Sequence, residues 1–384
     1  MNTHTPTTSP RSEAHAAFGA ARSEAAEYLL GRGREYDVAV LGLLTGNNVF
    51  LLSKPGTAKS ALADVLFRQI GAADHEAFRL LCSAFTAPEE LWGPVSLPAL
   101  EREEFVRVSG GRTLRRAQVA FLDEVGKLGE AQQNALLTAL NERCYDNGTR
   151  GRERLPLRFV VGASNEDIES PALKDRFVLR AWVDYLGPDS THAADLVRRR
   201  FRNPEGIRPS LSWETIERAR CEVAALADTA PDHVVDAVLR IASSLKRDAG
   251  IEVSDRKLTQ ILPVLAAQAW LDGATQVSTR HLWALEYLLW SDVDQIGQIK
   301  AAIRLHGGAD SAVEDTLRGL RALAVEAGKG DAARIAASLT DLRDALAKQA
   351  EAASPEVVAE AEGIADGIAR VLSTRQVTRP AWAR

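Results

Sequence analysis

The chain has 384 residues, 46% of them hydrophobic and 26% charged, enough for two or three domains with their own cores and incompatible with a fibre or wholesale disorder. A formal net charge of -5 gives no global attraction to nucleic acid or to an anionic membrane. Cys82, Cys144 and Cys221 are scattered without C-x-x-C spacing, which excludes a disulfide framework and a zinc site and indicates a reducing compartment.

The first stretch, residues 1–20, carries no apolar core before a cleavage site and is expected to be a disordered leader. No apolar run approaches the ~18 residues of a membrane span, so a cytoplasmic protein is expected. From about residue 24 to 45 the apolar spacing is helical, and Gly46, Asn47 and Asn48 close it before the apolar strand Val49–Leu52. A loop then leads into a helix from Lys59 that ends at Gly71. The alternation continues with a strand over 77–82, a short helix opened by Pro88, a strand over 119–125, a helix over 129–143, and strands over 157–165 and 177–183. Apolar strands without polar alternation, separated by helices, predict a parallel sheet covered on both faces.

Two stretches break this rhythm. Residues 103–118 alternate around Ser109, Gly110 and Gly111, and residues 143–159 alternate around Asn147 and Gly148; both predict β-hairpins hung on the α/β core. From Pro188 the strand signals vanish, and helices near 191–201, 212–227, 231–248, 254–271 and 278–290 predict a small all-α domain. The basic run at 198–202 reads as a solvated helix face, because only Phe201 interrupts it with an aromatic ring. Beyond residue 296, alanine-rich helices over 309–327, 331–352 and 355–373 predict a helical extension whose last residues fray.

Residues 51–63, LLSKPGTAKSALA, pass from strand to helix. A phosphate loop turns consecutive backbone N–H groups inward around a polyphosphate, at a helix N-terminus whose dipole favours negative charge. Ser53, Lys54, Pro55, Gly56, Thr57, Ala58, Lys59, Ser60 and Ala61 would form that cradle, with Lys59 on the outer phosphates and the Ser60 hydroxyl on Mg2+. The strict pattern G-x-x-x-x-G-K-[ST] asks for glycine where this chain has Ser53 and Ala58. Alanine fits if position 58 already has helical dihedrals, since only a positive φ penalises its Cβ. Ser53, where strand gives way to loop, is the less comfortable change, because its side chain would crowd the turn. A lysine–serine pair after a proline turn also occurs as plain structure, so the loop alone leaves both readings open.

The strand VAFLDEV ends in Asp123 and Glu124. In a phosphoryl-transfer site the first acid would hold the Mg2+ shell and the second would polarise the attacking water; acids also mark the solvated ends of strands. Two of them at the C-terminal edge of a central parallel strand, where α/β folds bind ligands, favour the first reading. Asn165, at the end of VVGASN, would stand at the same edge and orient the water, although alone it would equally form a turn.

KPGTAKS, FLDEV, ASNE and LKDRF, in this order, resemble the motifs of AAA+ ATPases, and alanine before the loop lysine resembles the MoxR family. FTAPEELWGPVSL (85–97), LLTALNER (136–143), VSDRK (253–257) and LWSDVDQ (289–295) resemble the RavA-like subgroup, and the likeness spans about residues 22–296. The resemblance accounts for Ala58 and leaves Ser53 as a departure, since relatives keep glycine there.

The resemblance implies an α/β AAA+ core with two β-hairpin insertions, an all-α lid and a C-terminal helical extension. The corresponding domains are a leader over 1–20, a nucleotide-binding domain over 21–187, a lid over 188–296 and the helical region over 297–384. It further implies an ATP- and Mg2+-dependent ATPase in a hexameric ring, remodelling or assembling a partner protein that carries a von Willebrand factor A domain. Arg176 of LKDRF would be the finger that reaches a neighbouring subunit's γ-phosphate, and Arg256 of VSDRK the second sensor, acting in cis or in trans at a helix start capped by Ser254 or Asp255. Two rivals stand beside this reading. One is a nucleotide-binding scaffold whose turnover Ser53 suppresses; the other is a nucleic-acid-stimulated motor using Arg143, Arg150, Arg152, Arg154 and Arg158, against which the acidic net charge argues.

Overall fold

The computed structural model describes residues 12–72, 76–108, 112–187, 192–198, 206–328, 332–350, 353 and 355–377. The predicted strands form one five-stranded parallel sheet: β1 (Val49–Ser53), β2 (Ala77–Leu81), β3 (Val119–Asp123), and, after a two-stranded ladder of β4 (Cys144–Asp146) and β5 (Arg152–Arg154), β6 (Phe159–Ser164) and β7 (Leu179–Val183). Their order is β2-β3-β6-β1-β7. Every residue of β1 and β6 is buried, as expected of a sheet with both faces covered. Gly162 is required in β6 because a Cβ there would come within 2.7 Å of the Phe177 ring. Since all five strands run the same way, Ser53, Asp123, Ser164 and Val183 end at one edge.

The helices around the sheet are α1 (Glu13–Tyr28), α2 (Gly33–Thr45), α3 (Lys59–Ile70), α4 (Pro88–Trp92), α5 (Leu97–Leu100), α6 (Glu130–Glu142) and α7 (Pro171–Lys174). Further on come α8 (Ala193–Arg198), α9 (Trp213–Asp228), α10 (Asp232–Ala249), α11 (Asp255–Leu271), α12 (Ile296–His306), α13 (Gly308–Ala327), α14 (Ala332–Gln349) and α15 (Pro355–Val377).

Several expectations need correction. The single helical stretch over 24–45 is two helices, broken at Gly31, whose φ is +66°. The leader expected to be disordered over 1–20 is entered by α1, because the Ser12 hydroxyl caps it by accepting the His15 N–H at 3.1 Å and because Ala14, Phe18, Ala21 and Ala25 form a buried stripe. Phe18 meets Trp270 edge to face at 5.4 Å. Residues 279–287, expected as α-helix, form a 3-10 helix, while the Lys257 ammonium takes the Leu289 and Trp290 carbonyls that follow it.

The excursion over 143–159 forms the predicted hairpin as β4 and β5. The one over 103–118 pairs differently: Val106 and Val108 exchange hydrogen bonds with Ser96 and Pro94, and Leu114–Arg116 is a 3-10 turn. The two excursions are fastened to each other, since the Asn147 amide oxygen accepts the Arg107 N–H at 2.9 Å and Arg115 pairs with Glu153 at 2.7 Å. Residues 1–11 of the expected leader, the Ser-Gly-Gly turn at 109–111, most of the basic run at 198–202 and the last residues, 378–384, lie outside the described residues.

The chain divides into two compact units. The first contains the described residues of Met1–Tyr185, Arg199–Asp228 and Ala266–Thr275; α9, predicted as part of the lid, belongs to it, with the Arg220 guanidinium donating to the Leu43 carbonyl at 2.9 Å. The second contains the described residues of Leu186–Arg198, Thr229–Leu265 and Gln276–Arg384, so the C-terminal helices cluster with the lid segments. There α13, α14 and α15 share an apolar core of Val313, Leu317, Leu320, Ile335, Leu339 and Ala361. Arg280 and Arg321 both bridge the buried Glu314 to Glu360, tying the 3-10 segment to α13 and α15. Among the described residues no helix is long and apolar enough to cross a membrane.

Candidate functional site

The loop between β1 and α3 is built at the sheet's carboxyl edge. Gly56 has φ +77° with open space around its Cα, so its backbone conformation, not crowding, calls for glycine. The Thr57 hydroxyl donates to the Lys54 carbonyl at 2.9 Å, and the Lys54 N–H donates to the Val183 carbonyl at 3.4 Å, fastening the loop to β7. No side chain caps α3, so its first N–H groups present the positive end of the helix to the loop.

Ala58 has φ 68° and ψ 29°, contrary to the helical dihedrals that would have made alanine harmless. A left-handed L-residue costs about 1–2 kcal/mol, partly offset by alanine's smaller freedom in the unfolded chain, worth about 0.4–1 kcal/mol over glycine. Ala58→Gly therefore stabilises the protein by about 0.5–1 kcal/mol, read as a rise of about 1–3 °C in Tm; an unchanged or lower Tm would contradict the strain.

Ser53 does not crowd the turn. Its side chain points inward and is fully buried, donating to the Lys54 carbonyl at 2.9 Å and accepting the Lys59 ammonium at 2.7 Å. The departure from glycine thus adds an acceptor for the loop lysine. Lys59 also donates to Asn165 Oδ1 at 2.6 Å, and Asn165 Nδ2 donates to Glu124 Oε1 at 2.6 Å. Glu124 Oε2 accepts the Ser164 hydroxyl at 3.0 Å and lies 3.3 Å from the Lys127 ammonium. One hydrogen-bonded line therefore runs Ser53–Lys59–Asn165–Glu124–Ser164 across the ends of β1, β6 and β3. Sequence reasoning missed Ser164 and Lys127: Ser164 is a small residue closing an apolar strand, and Lys127 resembles any exposed lysine three residues past an acid.

Glu124 has φ 54°, another strained position at this edge, and the turn that follows sends its carboxylate toward β6. Burial pushes the Glu124 carboxyl up, but hydrogen bonds from Ser164 and the Asn165 N–H, together with Lys127, outweigh it and hold the group below the ordinary glutamate range. Asp123 differs: burial, reinforced by Glu124, pushes it up against the pull of Lys59. Burial also lowers Lys59 despite both acids. Ser60 is exposed in the first turn of α3, and with Asp123 it offers the hard oxygen donors that suit Mg2+, an ion that takes few protein ligands and keeps waters or phosphate oxygens. A cation there would relieve the upward push on Asp123. Burial, then the Asp123 carboxylate, pushes the nearby Cys82 thiol up to about 12, so it stays protonated.

Arg176 lies elsewhere. Its carbonyl accepts the Asn48 side chain at 3.1 Å, and Asn48 immediately precedes β1, so Arg176 sits at the amino edge of the sheet while Lys59, Asp123, Glu124 and Asn165 stand at the carboxyl edge. Arg143 is at that amino edge too, donating to Asn48 Oδ1 at 2.8 Å, with burial pushing it down to about 10. Of the other hairpin arginines, Arg152 pairs with Glu142, and Arg158 faces Glu217 and the Trp213 ring. Arg256 is in the first turn of α11, in the second unit; Ser254, rather than Asp255, accepts the capping N–H, from Lys257 at 3.3 Å.

The family described as "MoxR domain in the MoxR-vWA-beta-propeller ternary systems" matches residues 17–203, and "AAA lid domain" matches residues 233–303. An uncharacterized protein of Methanocaldococcus jannaschii is 32% identical over 73% of this chain and 74% of its own length. Chaperone MoxR1 of Mycobacterium tuberculosis is 24% identical over 61% of each chain. The crystal structure of a Cytophaga hutchinsonii protein superposes with a TM-score of 0.60 at 18% identity, covering 76% of this chain and 94% of that one, which speaks to the fold.

Proposed function

Because the chain belongs to the MoxR family of AAA+ ATPases, we propose that it is itself a Mg2+-dependent ATPase, of RavA-like type, which assembles into a hexameric ring and remodels a partner protein. The observation that carries this reading is the line Ser53–Lys59–Asn165–Glu124–Ser164, which joins the phosphate loop to a carboxylate held ionised.

With ATP in the loop, backbone N–H groups at the start of α3 and the Lys59 ammonium face the phosphates. Ser60 and Asp123 would hold Mg2+, which when bound neutralises charge on the phosphate oxygens. Glu124, kept ionised, takes a proton from the attacking water, and Asn165 positions both that water and Lys59. Arg176, at the opposite edge of the sheet from Lys59 and Glu124, would as a finger serve a neighbouring subunit's phosphates, which suits the proposed ring. Arg256 would act as the second sensor. The matched family is described within MoxR-vWA-beta-propeller systems, which supports a von Willebrand factor A domain protein as the partner.

The test is phosphate release from ATP by the purified chain with Mg2+ and after chelation by EDTA, beside light scattering. Hydrolysis with Mg2+ that falls to background in EDTA, from a particle of about six chains, is expected. Undiminished hydrolysis in EDTA would remove the Mg2+ dependence, and no hydrolysis with Mg2+ would remove the enzymatic reading.

A further inference from the structure

Beyond the end of β7, Asp184 and Tyr185 lie next to the phosphate loop. Tyr185 is 55% exposed, and a lone exposed aromatic ring is ordinary on a protein surface. This one is tethered. The Lys54 ammonium stands 5.3 Å from its ring centroid and 2.8 Å from Asp184 Oδ1, while the Lys54 N–H bonds the Val183 carbonyl at 3.4 Å. A residue of the loop itself thus holds the ring beside the loop.

The sheet order gives the ring a direction. β1 is flanked by β6 on one side and β7 on the other, with β3 beyond β6. Lys59 reaches toward β6, to Asn165, and Glu124 and Asp123 end β3 beyond it. The terminal phosphate is therefore drawn toward β6 and β3, and a nucleotide so placed extends its nucleoside toward β7. Polar groups gather on the first side; an exposed aromatic face stands on the second.

We infer that Tyr185 is a nucleoside-binding residue, offering its ring to the base of the bound nucleotide. This rests on the proposed ATP site and names how that site would select a nucleotide over bare polyphosphate. Stacking between a base and an aromatic side chain changes affinity about 5- to 150-fold, without bearing on the cleaved bond.

The experiment compares binding of ATP and of inorganic tripolyphosphate, by calorimetry, to the full chain and to Tyr185→Ala and Tyr185→Phe, with kcat and KM measured in parallel. Tyr185→Ala is expected to bind ATP about tenfold more weakly and to raise KM similarly, with kcat and tripolyphosphate binding unchanged; Tyr185→Phe, which keeps the ring, is expected to bind ATP as the wild type does. Tyr185→Ala binding ATP within twofold of wild type, or losing tripolyphosphate as strongly as ATP, overturns the inference while the ATP site stands. A wild type that binds neither ligand overturns both.

Discussion

Glu124→Gln is expected to bind ATP with a Kd within about threefold of the wild type while kcat falls about 100- to 10,000-fold, the usual range for losing a positioned base. Glutamine has the shape of glutamate, so the strained backbone at 124 and the Ser164 contact can persist. What it lacks is the negative charge and the proton-accepting oxygen. The hydrogen bonds that hold Glu124 below the ordinary glutamate range also fix a pH dependence. A base with a lowered value is ionised throughout mildly acidic and neutral solution and protonates only at more acidic pH. The acid limb of kcat therefore lies below about pH 4.5, the ordinary glutamate value. Binding measured with a non-hydrolysable ATP analogue, beside single-turnover hydrolysis, checks both statements. Equal turnover by wild type and Glu124→Gln would leave the chain a nucleotide-binding scaffold, the rival that the buried Ser53 raised.

Ser53 and Ala58 show where sequence was readable and where it stopped. The strands, the loop and the order of the acids followed from apolar runs and their spacing, because burial on both faces of a parallel sheet leaves a strong compositional trace. The meaning of the two departures did not follow, because it depends on backbone dihedrals. Ala58, excused on the assumption of helical geometry, carries a positive φ; Ser53, expected to crowd the turn, points inward and receives Lys59. The 103–118 excursion was misread for a related reason: alternation marks a strand but names no partner, and Val106 and Val108 found theirs at Ser96 and Pro94. The start of α1 was legible in principle, from Ser12 followed by alanines and Phe18 at helical spacing. The Thr- and Ser-rich residues before it masked the signal.

Asn165→Ala should lower kcat about 10- to 100-fold and leave the ATP Kd within about threefold. Its side chain bonds both Lys59 and Glu124, so truncation removes both contacts at once: Lys59 keeps Ser53 as an acceptor, and Glu124 keeps Ser164 and Lys127. Binding therefore survives on the loop, while the water and the base lose their common positioner, a smaller loss than the ~100- to 1000-fold of removing one preorganised donor because both groups keep other partners. Asn165→Asp separates positioning from charge. It retains an acceptor for Lys59 but sets a carboxylate against Glu124, and like charges in contact raise a carboxyl's pKa. The acid limb of its kcat profile should then move to higher pH than in the wild type, with the deficit shrinking as pH rises. A residue that merely closed a turn would show neither the kcat loss at unchanged Kd nor the displaced limb, and Asn165→Ala with kcat within twofold of wild type would break the line from phosphate loop to base.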